Sequence, residues 1–277
     1  MLPPDSHVHT EWSWDAPRGS MEQACARAEQ LGLASVAFTE HAEFAPAKRP
    51  GGYPRPGFRG ELTATGELAS PVLYLPGYLE SVQRCREKFP GLRILTGVEL
   101  SEPHWHPGPA AKLLAEGGFD RVLASVHSLQ AGGVEYRDTG ELYIDRSPAD
   151  VVRAYLAEVS RLIDGSDGFA VLAHIDYPVR SWPGGYRQFD PAPLEEDFRA
   201  VLRALAASGR ALEINTRITP NPRIIGWWHD CGGDAVSFGS DAHDPSVLAR
   251  GFAAAADMAR AQGFRPGRDP HDLWCRA

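Results

Sequence analysis

The sequence predicts an α/β barrel built on a parallel sheet, and three features of the chain lead to this fold class. Short apolar runs alternate with longer segments of helical period along the 277 residues. The alternation repeats about seven times, as consecutive right-handed β-α-β units do. His, Asp or Glu ends most of the short runs, as expected where parallel strands point their carboxyl ends to one active face. We therefore expect a closed or nearly closed barrel rather than an open sheet.

The individual elements follow from the same patterns. Candidate strands lie near residues 4–8, 34–39, 93–99, 121–127, 169–174, 211–215 and 235–240. Candidate helices are the amphipathic segments 20–32, 77–89, 148–163, 194–207 and 246–262. We expect a single domain over residues 1–277, because neither an internal repeat nor a change of composition divides the chain.

Two segments depart from the alternation. Residues 44–76 are rich in Pro and Gly and show no clear period, which indicates a long loop or a lid over the barrel mouth. Residues 128–147 form a polar insertion after the fourth candidate strand. Each segment either shapes a substrate pocket or is a solvent-exposed loop, and the sequence leaves both alternatives open.

Composition and charge restrict the class of partner. The formal net charge of -8 disfavours nucleic acid and anionic membrane as main partners, because both attract a positive surface. A small anionic substrate remains possible, since metal ions and arginines reverse the potential locally. The four cysteines form no CxxC pair, which favours reduced thiols in a cytoplasmic protein. No apolar run approaches the length of a membrane span, and no basic-then-apolar leader precedes His7, so we expect a cytoplasmic location.

The first candidate strand ends in Asp5-Ser6-His7-Val8-His9. Residues two apart on a strand point to the same side, so His7 and His9 can direct two imidazoles at one metal ion. Such a pair also arises by chance. The other strand ends strengthen the interpretation, because six of the seven candidate strands end in His, Asp or Glu. These residues are His7 and His9, His41, Glu99, His127, His174, and Asp241 with His243.

A cluster of imidazoles and carboxylates is what two or three adjacent divalent cations require. Because the donor set contains no cysteine, Zn, Mn and Fe are all compatible with it. The second His-x-His pair, His104 and His106, lies in a Pro-rich loop, where strand alternation does not align the side chains. We expect this pair to line a substrate pocket or to sit in a plain loop rather than to bind metal.

The motifs in this order resemble the PHP (polymerase and histidinol phosphatase) family. They are His7-Val8-His9, Thr39-Glu40-His41, Gly97-Val98-Glu99, Ser125-Val126-His127, Ala173-His174 and Gly239-Ser240-Asp241-Ala242-His243. The resemblance implies a distorted (β/α)7 TIM-like barrel with a trinuclear metal site at the carboxyl ends of the strands.

The resemblance also implies how the ligands are divided among the metals. The first metal takes His7, His9, Glu99 and Asp241, and the second shares Glu99 and adds His127 and His174. The third takes His41, His243 and a residue of the loop after the first strand. Many family members have His in that loop, whereas this chain offers Asp15.

Within the family, the chain looks more like the stand-alone histidinol-phosphate phosphatases than the polymerase-associated domains. Residues 174–180 resemble the segment that supplies a phosphate-binding arginine, here Arg180. Residues 212–217 resemble the Glu-x-Asn-Thr strand of that subgroup, but the usual Gly and basic residue after it are replaced. The second phosphate-binding arginine is therefore either Arg217 or Arg223. Asp176 and Glu213 are expected to contact either the metal ligands or a substrate amine.

The function implied is a metal-dependent phosphomonoesterase with L-histidinol phosphate as substrate, in histidine biosynthesis. Glu99 would bridge two metals, Arg180 would offset phosphate charge, and a metal-bound water, Asp241 or His243 would protonate the leaving group. The alternatives are a PHP phosphatase for a nucleotide or sugar phosphate, an amidohydrolase, or a barrel without catalytic activity. An exonuclease is disfavoured by the acidic charge.

Overall fold

The computed structural model describes residues 2–44, 61–62, 68–69, 73–131, 135–269, 271 and 273–277. Its strands are β1 (Asp5–Val8), β2 (Ser35–Glu43), β3 (Glu61–Leu62), β4 (Leu68–Ala69), β5 (Arg93–Ser101), β6 (Arg121–Ser125), β7 (Ser128–Ala131), β8 (Glu135–Asp138), β9 (Val171–Leu172), β10 (Ala211–Asn215), β11 (Ala235–Gly239), β12 (Phe264–Arg265) and β13 (Trp274–Arg276). Its α-helices are α1 (Met21–Leu31), α2 (Leu75–Lys88), α3 (Pro107–Gly117), α4 (Pro148–Gly165), α5 (Glu195–Ala207), α6 (Pro222–Asp230) and α7 (Phe252–Ala261).

The main sheet contains nine strands in the order β1-β2-β5-β6-β9-β10-β11-β13-β12. Neighbours from β1 to β11 pair in parallel, whereas β12 and β13 add an antiparallel edge. Each of the predicted strands corresponds to one strand of the parallel run. An α-helix connects each parallel strand to the next, which confirms the α/β class.

The parallel sheet curls so that its first and last parallel strands meet at their carboxyl ends. Val8 forms a parallel bridge with Ala242, just beyond β11. The Asp241 amide donates to the His7 carbonyl at 2.8 Å, and the His9 amide donates to the Ala242 carbonyl at 2.9 Å. These hydrogen bonds bring the motif after β11 beside the motif after β1.

The helices cover the outside of the sheet and bury one face each. Helix α1 begins after Ser20, whose side chain accepts from the Gln23 amide, and ends at Gly32 in the left-handed conformation. Tyr78 of α2 is fully buried; its hydroxyl donates to the Phe38 carbonyl at 2.8 Å and accepts from the Gly97 amide at 2.7 Å. This side chain fixes α2 against β2 and β5, the strands that supply two of the metal-ligand motifs.

Helices α3 and α6 were not among the predicted elements. Each begins with a proline, Pro107 or Pro222, whose missing amide hydrogen costs nothing in the first helical turn. The predicted helix 246–262 was wrong at its start, because Pro245–Val247 forms a 3-10 helix and α7 begins only at Phe252.

The two segments that break the alternation have different outcomes. Most of the proposed loop or lid at 44–76 lies outside the described residues. The insertion at 128–147 contains the β7–β8 hairpin, followed by a 3-10 helix at Thr139–Ile144, so its described part is regular structure. Among the described helices, none combines the length and the apolar character needed to cross a bilayer.

Candidate metal centre

All nine predicted metal ligands lie in one connected cluster at the carboxyl ends of the parallel strands. Glu99, from β5, is at its centre and its side chain is 1% exposed. Its Oε1 atom lies 2.8 Å from His174 Nε2 and 3.3 Å from His127 Nε2. The other carboxylate oxygen, Oε2, lies 3.0 Å from His41 Nδ1 and 3.3 Å from His7 Nε2. One carboxylate therefore contacts imidazoles from four different strand ends.

His7 and His9 face each other as the strand alternation predicts. Their Nε2 atoms are 3.0 Å apart, and both side chains are fully buried. On the far side of each ring, His7 Nδ1 is 2.7 Å from Glu213 Oε1 and His9 Nδ1 is 3.0 Å from Ser13 Oγ. A nitrogen beside a carboxylate carries the ring proton, so His7 directs the lone pair of Nε2 inward.

This arrangement fits a metal ion. A buried imidazole lone pair at a short distance from a second imidazole nitrogen is unfavourable unless a cation lies between them. Glu99 Oε2 and His41 Nδ1 are also buried, and although they lie 3.0 Å apart, neither makes a hydrogen bond of good geometry. Unpaired buried acceptors that converge on one region are what a cation binding site requires.

The donor atoms form four overlapping groups in which all ligand atoms lie within 4.8 Å of one another. The groups are His7, His9 and Asp241; Glu99, His127 and His174; His9, His41 and His243; and His41, Glu43 and His127. The first group contains three of the four ligands that the family resemblance implies for the first metal and lacks Glu99, whereas the second group matches the set implied for the second metal.

Asp15 occupies the position expected for the third set. Its Oδ2 atom lies 3.0 Å from His243 Nε2, and its Oδ1 atom lies 3.4 Å from His41 Nε2. The loop after β1 therefore brings a carboxylate to the two histidines with which the resemblance associates it.

Ionisation differs among the ligands of the cluster. Burial and the neighbouring His41 and His243 lower the pKa of His9 well below its ordinary value, so this ring is neutral. Burial alone would raise the pKa of Glu99, but the surrounding imidazoles outweigh it and hold this pKa well below the ordinary value. Burial alone would lower the pKa of His127, but Glu99 and Glu43 outweigh it and raise this pKa to about 10. Because divalent metals bind neutral imidazole and ionised carboxylate, metal binding would displace a proton from His127.

Two of the four non-glycine residues with a positive φ in the described part of the chain are metal ligands. His174 has a φ of 21° and Asp241 a φ of 52°, which non-glycine residues rarely adopt. Such conformations cost roughly 1–3 kcal/mol each and persist where surrounding contacts enforce them. Here the His174 amide donates to Glu213 Oε2 at 2.9 Å and the Asp241 amide donates to the His7 carbonyl. The strain turns both side chains toward the cluster.

Two arginines border the cluster on the Asp241 side. Arg180 Nη2 lies 2.5 Å from Asp241 Oδ2, and Arg217 Nη1 lies 3.2 Å from Asp241 Oδ1. The Arg180 guanidinium also stacks over the Tyr177 ring, 4.8 Å from its centroid. Arg223, the other predicted candidate, is exposed and lies 3.5 Å from Asp190 at the surface. The structure therefore brings Arg217 rather than Arg223 to the metal cluster.

Glu213 and Asp176 were predicted to contact ligands or a substrate amine. Both oxygens of the fully buried Glu213 are engaged, with His7 Nδ1 on one side and the His174 amide and Asn215 Nδ2 on the other. This placement supports an orienting contact with His7 and argues against contact with substrate. Asp176 is also buried; burial raises its pKa to about 7, although Arg180 opposes the shift.

Three residues that contact the ligands were not singled out from the sequence. Glu43 Oε1 lies 3.2 Å from His127 Nδ1, Ser13 contacts His9, and Asn215 accepts from Arg180 Nη2 at 3.4 Å. The signal for Glu43 was present, because it lies two residues after His41 and shares its side of β2. It was missed because the strand was expected to end near residue 39, four residues too early.

His104 does not join the metal cluster. Its Nε2 atom lies 2.7 Å from Glu158 Oε1 on α4, and the Trp105 indole donates to the same oxygen at 2.8 Å. Burial would raise the pKa of Glu158, but the hydrogen bonds from His104 and Arg161 outweigh it and lower this pKa to about 2. His104 therefore holds the loop before α3 against α4.

Two curated proteins named as histidinol-phosphatases are similar to this chain in sequence. The histidinol-phosphatase of Lactococcus lactis is 27% identical over 250 residues, which cover 86% of this chain and 83% of that protein. A probable histidinol-phosphatase of Deinococcus radiodurans is 29% identical over 276 residues, 94% of each chain.

Solved structures share the fold. The histidinol phosphate phosphatase of Lactococcus lactis, crystallised with zinc, L-histidinol and phosphate, superposes with a TM-score of 0.78 at 22% identity and 98% coverage of both chains. A putative histidinol phosphatase of Listeria monocytogenes gives a TM-score of 0.72 at 21% identity, over 91% of this chain and 99% of that one. Residues 5–217 match the family described as the PHP domain. Because this match spans well over half of the chain, the chain belongs to the PHP domain family.

Proposed function

We propose that this chain is a metal-dependent phosphomonoesterase that hydrolyses L-histidinol phosphate to L-histidinol and phosphate. The observation that carries the proposal is the buried cluster around Glu99, with the guanidinium groups of Arg180 and Arg217 at its edge. Cationic groups next to a metal-binding cluster suit an anionic phosphoryl group, which an amide substrate does not carry. The relatives named histidinol-phosphatase supply the substrate.

We further propose a single (β/α)7 barrel domain that holds up to three metal ions. His7, His9, Glu99 and Asp241 would hold the first, and Glu99, His127 and His174 the second. Asp15, His41 and His243 would hold the third. Bound divalent metals supply Lewis acidity and lower the pKa of coordinated water toward neutrality.

The side chains of this chain have separable roles in the proposed reaction. Arg180 and Arg217 bind the phosphoryl oxygens and offset the negative charge that develops on them in the transition state. Such electrostatic stabilisation by preorganised donors is usually the largest single contribution to catalysis. Burial opposes ionisation of Asp241, but Arg180, His7 and Arg217 keep its pKa well below the ordinary value, so Asp241 has no proton to give to the leaving alkoxide oxygen. Glu213 and Glu43 hold the Nδ1 atoms of His7 and His127, so that each ring keeps its ligand nitrogen toward the cluster.

A phosphatase for another small phosphate is the closest alternative, since the metal cluster and arginines recognise the phosphoryl group alone. An amidohydrolase is less compatible with the structure. That family commonly bridges its metals with a carboxylated lysine, whereas the lysines in the described part of the chain, Lys88 and Lys112, are exposed on helices. Glu99 stands at the bridging position instead.

The test is phosphate release by the purified protein after loading with Zn or Mn. The panel contains L-histidinol phosphate, nucleoside monophosphates, sugar phosphates and an aryl phosphate. We expect kcat/KM for L-histidinol phosphate to exceed that for every other substrate by at least about 100-fold, since contacts to the non-reacting part raise kcat/KM. Equal rates across the panel would leave a general phosphatase, and no release from any substrate would refute the proposed activity.

A matched pair of variants tests the assigned ligands. His174→Ala removes an imidazole that lies 2.8 Å from Glu99, whereas His229→Ala removes a histidine on α6 that packs near Phe264, away from the cluster. Turnover should be abolished by the first change and retained by the second. Near-normal turnover of metal-loaded His174→Ala would exclude this ligand assignment.

A further inference from the structure

The loop after β1 contains a buried serine that contacts three groups at once. Ser13 is 1% exposed, and its Oγ atom lies 2.6 Å from Glu40 Oε2, 3.0 Å from His9 Nδ1 and 3.2 Å from the His41 amide nitrogen. No chemical role follows for this residue from the family motifs described above. Its position between the ligands His9 and His41 indicates that Ser13 has a role in metal binding.

The direction of each hydrogen bond follows from the number of protons available. A serine hydroxyl has one hydrogen to donate and two lone pairs to accept with. The Glu40 carboxylate accepts only, and its distance is the shortest, so the hydroxyl hydrogen goes to Glu40. The His41 amide can only donate. His9 Nδ1 must then donate as well, which places the ring proton on Nδ1.

Glu40 is itself held in place by the same loop. Its Oε1 atom accepts from the Thr10 hydroxyl at 2.6 Å, and its Oε2 atom accepts from the Thr10 amide at 3.0 Å. Glu40 is fully buried and is followed directly by the ligand His41. A carboxylate with these donors has no freedom to turn away from Ser13.

We propose that Ser13, oriented by Glu40, is a positioning residue that fixes the tautomer and ring orientation of His9 for metal binding. With the proton on Nδ1, the Nε2 lone pair of His9 faces His7 Nε2 at 3.0 Å and Asp241 Oδ1 at 3.6 Å. The same hydroxyl fixes the backbone of His41, so one side chain aligns ligands of two neighbouring strands. The proposal rests on the metal centre proposed above but not on the identity of the substrate.

Ser13→Ala leaves His9 Nδ1 without its acceptor and Glu40 without one of its donors. Loss of a partner that orients a metal ligand typically costs about 10- to 100-fold in metal affinity. We expect the Zn dissociation constant of Ser13→Ala to rise by that factor. The matched control is Ser35→Ala, because Ser35 is equally buried at the start of β2 and its Oγ atom has no hydrogen-bond partner. Its Zn affinity should equal that of the wild type.

The experiment is a Zn titration of the full chain against a chromophoric chelator, with thermal unfolding measured for each variant. Nitrogen-15 NMR of the Zn-loaded protein identifies the tautomer of His9, which should carry its proton on Nδ1 in the wild type. Glu40→Leu is the second variant, because leucine accepts no hydrogen bond and leaves the Ser13 hydroxyl hydrogen free to turn toward His9 Nδ1. We expect it to weaken Zn binding in the same range.

The outcomes separate this inference from the proposed activity. Zn dissociation constants of Ser13→Ala and Glu40→Leu that stay within about twofold of the wild type would overturn it. So would an Nε2–H tautomer of His9 in the Zn-loaded wild type. If Ser13→Ala does not fold, Glu40→Leu and the wild-type tautomer decide the question. A wild-type protein that binds Zn but hydrolyses no phosphate would refute the proposed activity while leaving the test of Ser13 intact.

Discussion

Gly239 ends β11 beside Glu213 and His7, and its replacement by alanine is a sharp test of the site. A Cβ atom at this position would lie 2.0 Å from Glu213 Oε1 and 2.5 Å from His7 Cβ. Neither distance is tolerated between real atoms. The backbone cannot retreat, because Gly239 pairs with Asn215 in the sheet and its carbonyl accepts from the Thr216 amide at 2.8 Å.

The Glu213 carboxylate must therefore move away from His7 in Gly239→Ala. Overpacking of a buried site costs about 1–3 kcal/mol of folding free energy. The loss of the 2.7 Å contact between Glu213 Oε1 and His7 Nδ1 adds about a 10- to 100-fold loss of metal affinity. The loss of folding free energy and the loss of metal affinity are measured independently, and both result from the displacement of the Glu213 carboxylate.

Denaturant unfolding, Zn titration and kcat/KM measure these effects. Gly108→Ala is the matched control, because Gly108 lies in α3 and an added Cβ meets nothing within 4 Å. The Gly108→Ala variant should not lose stability, since alanine is more favourable than glycine within a helix by up to about 1 kcal/mol. Wild-type Zn affinity and stability in Gly239→Ala would refute the packing between Gly239, Glu213 and His7.

Three further predictions concern the phosphate side and the surroundings of the cluster. Arg217→Gln should lower kcat/KM about 10- to 100-fold through loss of a charged hydrogen bond, while Arg223→Gln should leave it unchanged; equal effects of the two variants would contradict the assignment. Tyr177→Leu should raise the inhibition constant of inorganic phosphate several-fold, because a cation–π contact with Arg180 contributes roughly 0.5–2 kcal/mol, whereas Tyr177→Phe should not. Glu158→Gln should destabilise the protein at pH 6, because a carboxyl with a folded-state pKa of about 2 stabilises above its ordinary pKa. That stability difference should shrink as the pH falls from about 4.5 toward 2, and a difference that is the same at both ends of the range would exclude the assigned pairing.

The parallel sheet was predictable because two signals coincide along the chain. The apolar runs mark the strands, and His, Asp or Glu residues mark the carboxyl ends of most of them. Each of the parallel strands contains an apolar run, and at the ends of six of the seven a His, Asp or Glu side chain joins the cluster. Helices α3 and α6 were missed because proline and glycine in their sequences indicate loops more strongly than the buried residues indicate a helix. The antiparallel strands β12 and β13 were missed because two- and three-residue strands carry no period.

At the site, the direct ligands were predictable and the groups behind them were not. His7 and His9 share a side of one strand, a relation that spacing alone reveals. The contact between His7 and Glu213 spans 206 residues of sequence, and that between Arg217 and Asp241 depends on the meeting of two neighbouring loops. Sequence spacing does not distinguish Arg217 from Arg223 either, because both follow β10 and only the contacts between loops show which of them reaches Asp241.

Removal and return of the metal, while hydrolysis of L-histidinol phosphate is measured, decides whether the cluster is the active site. The protein would be stripped with a chelator, its metal content measured, and kcat/KM determined before and after Zn or Mn is added back. We expect activity to disappear with the metal and to return in proportion to the metal bound. Hydrolysis that persists at full rate in protein shown to contain no metal would contradict a metal-dependent reaction at this site.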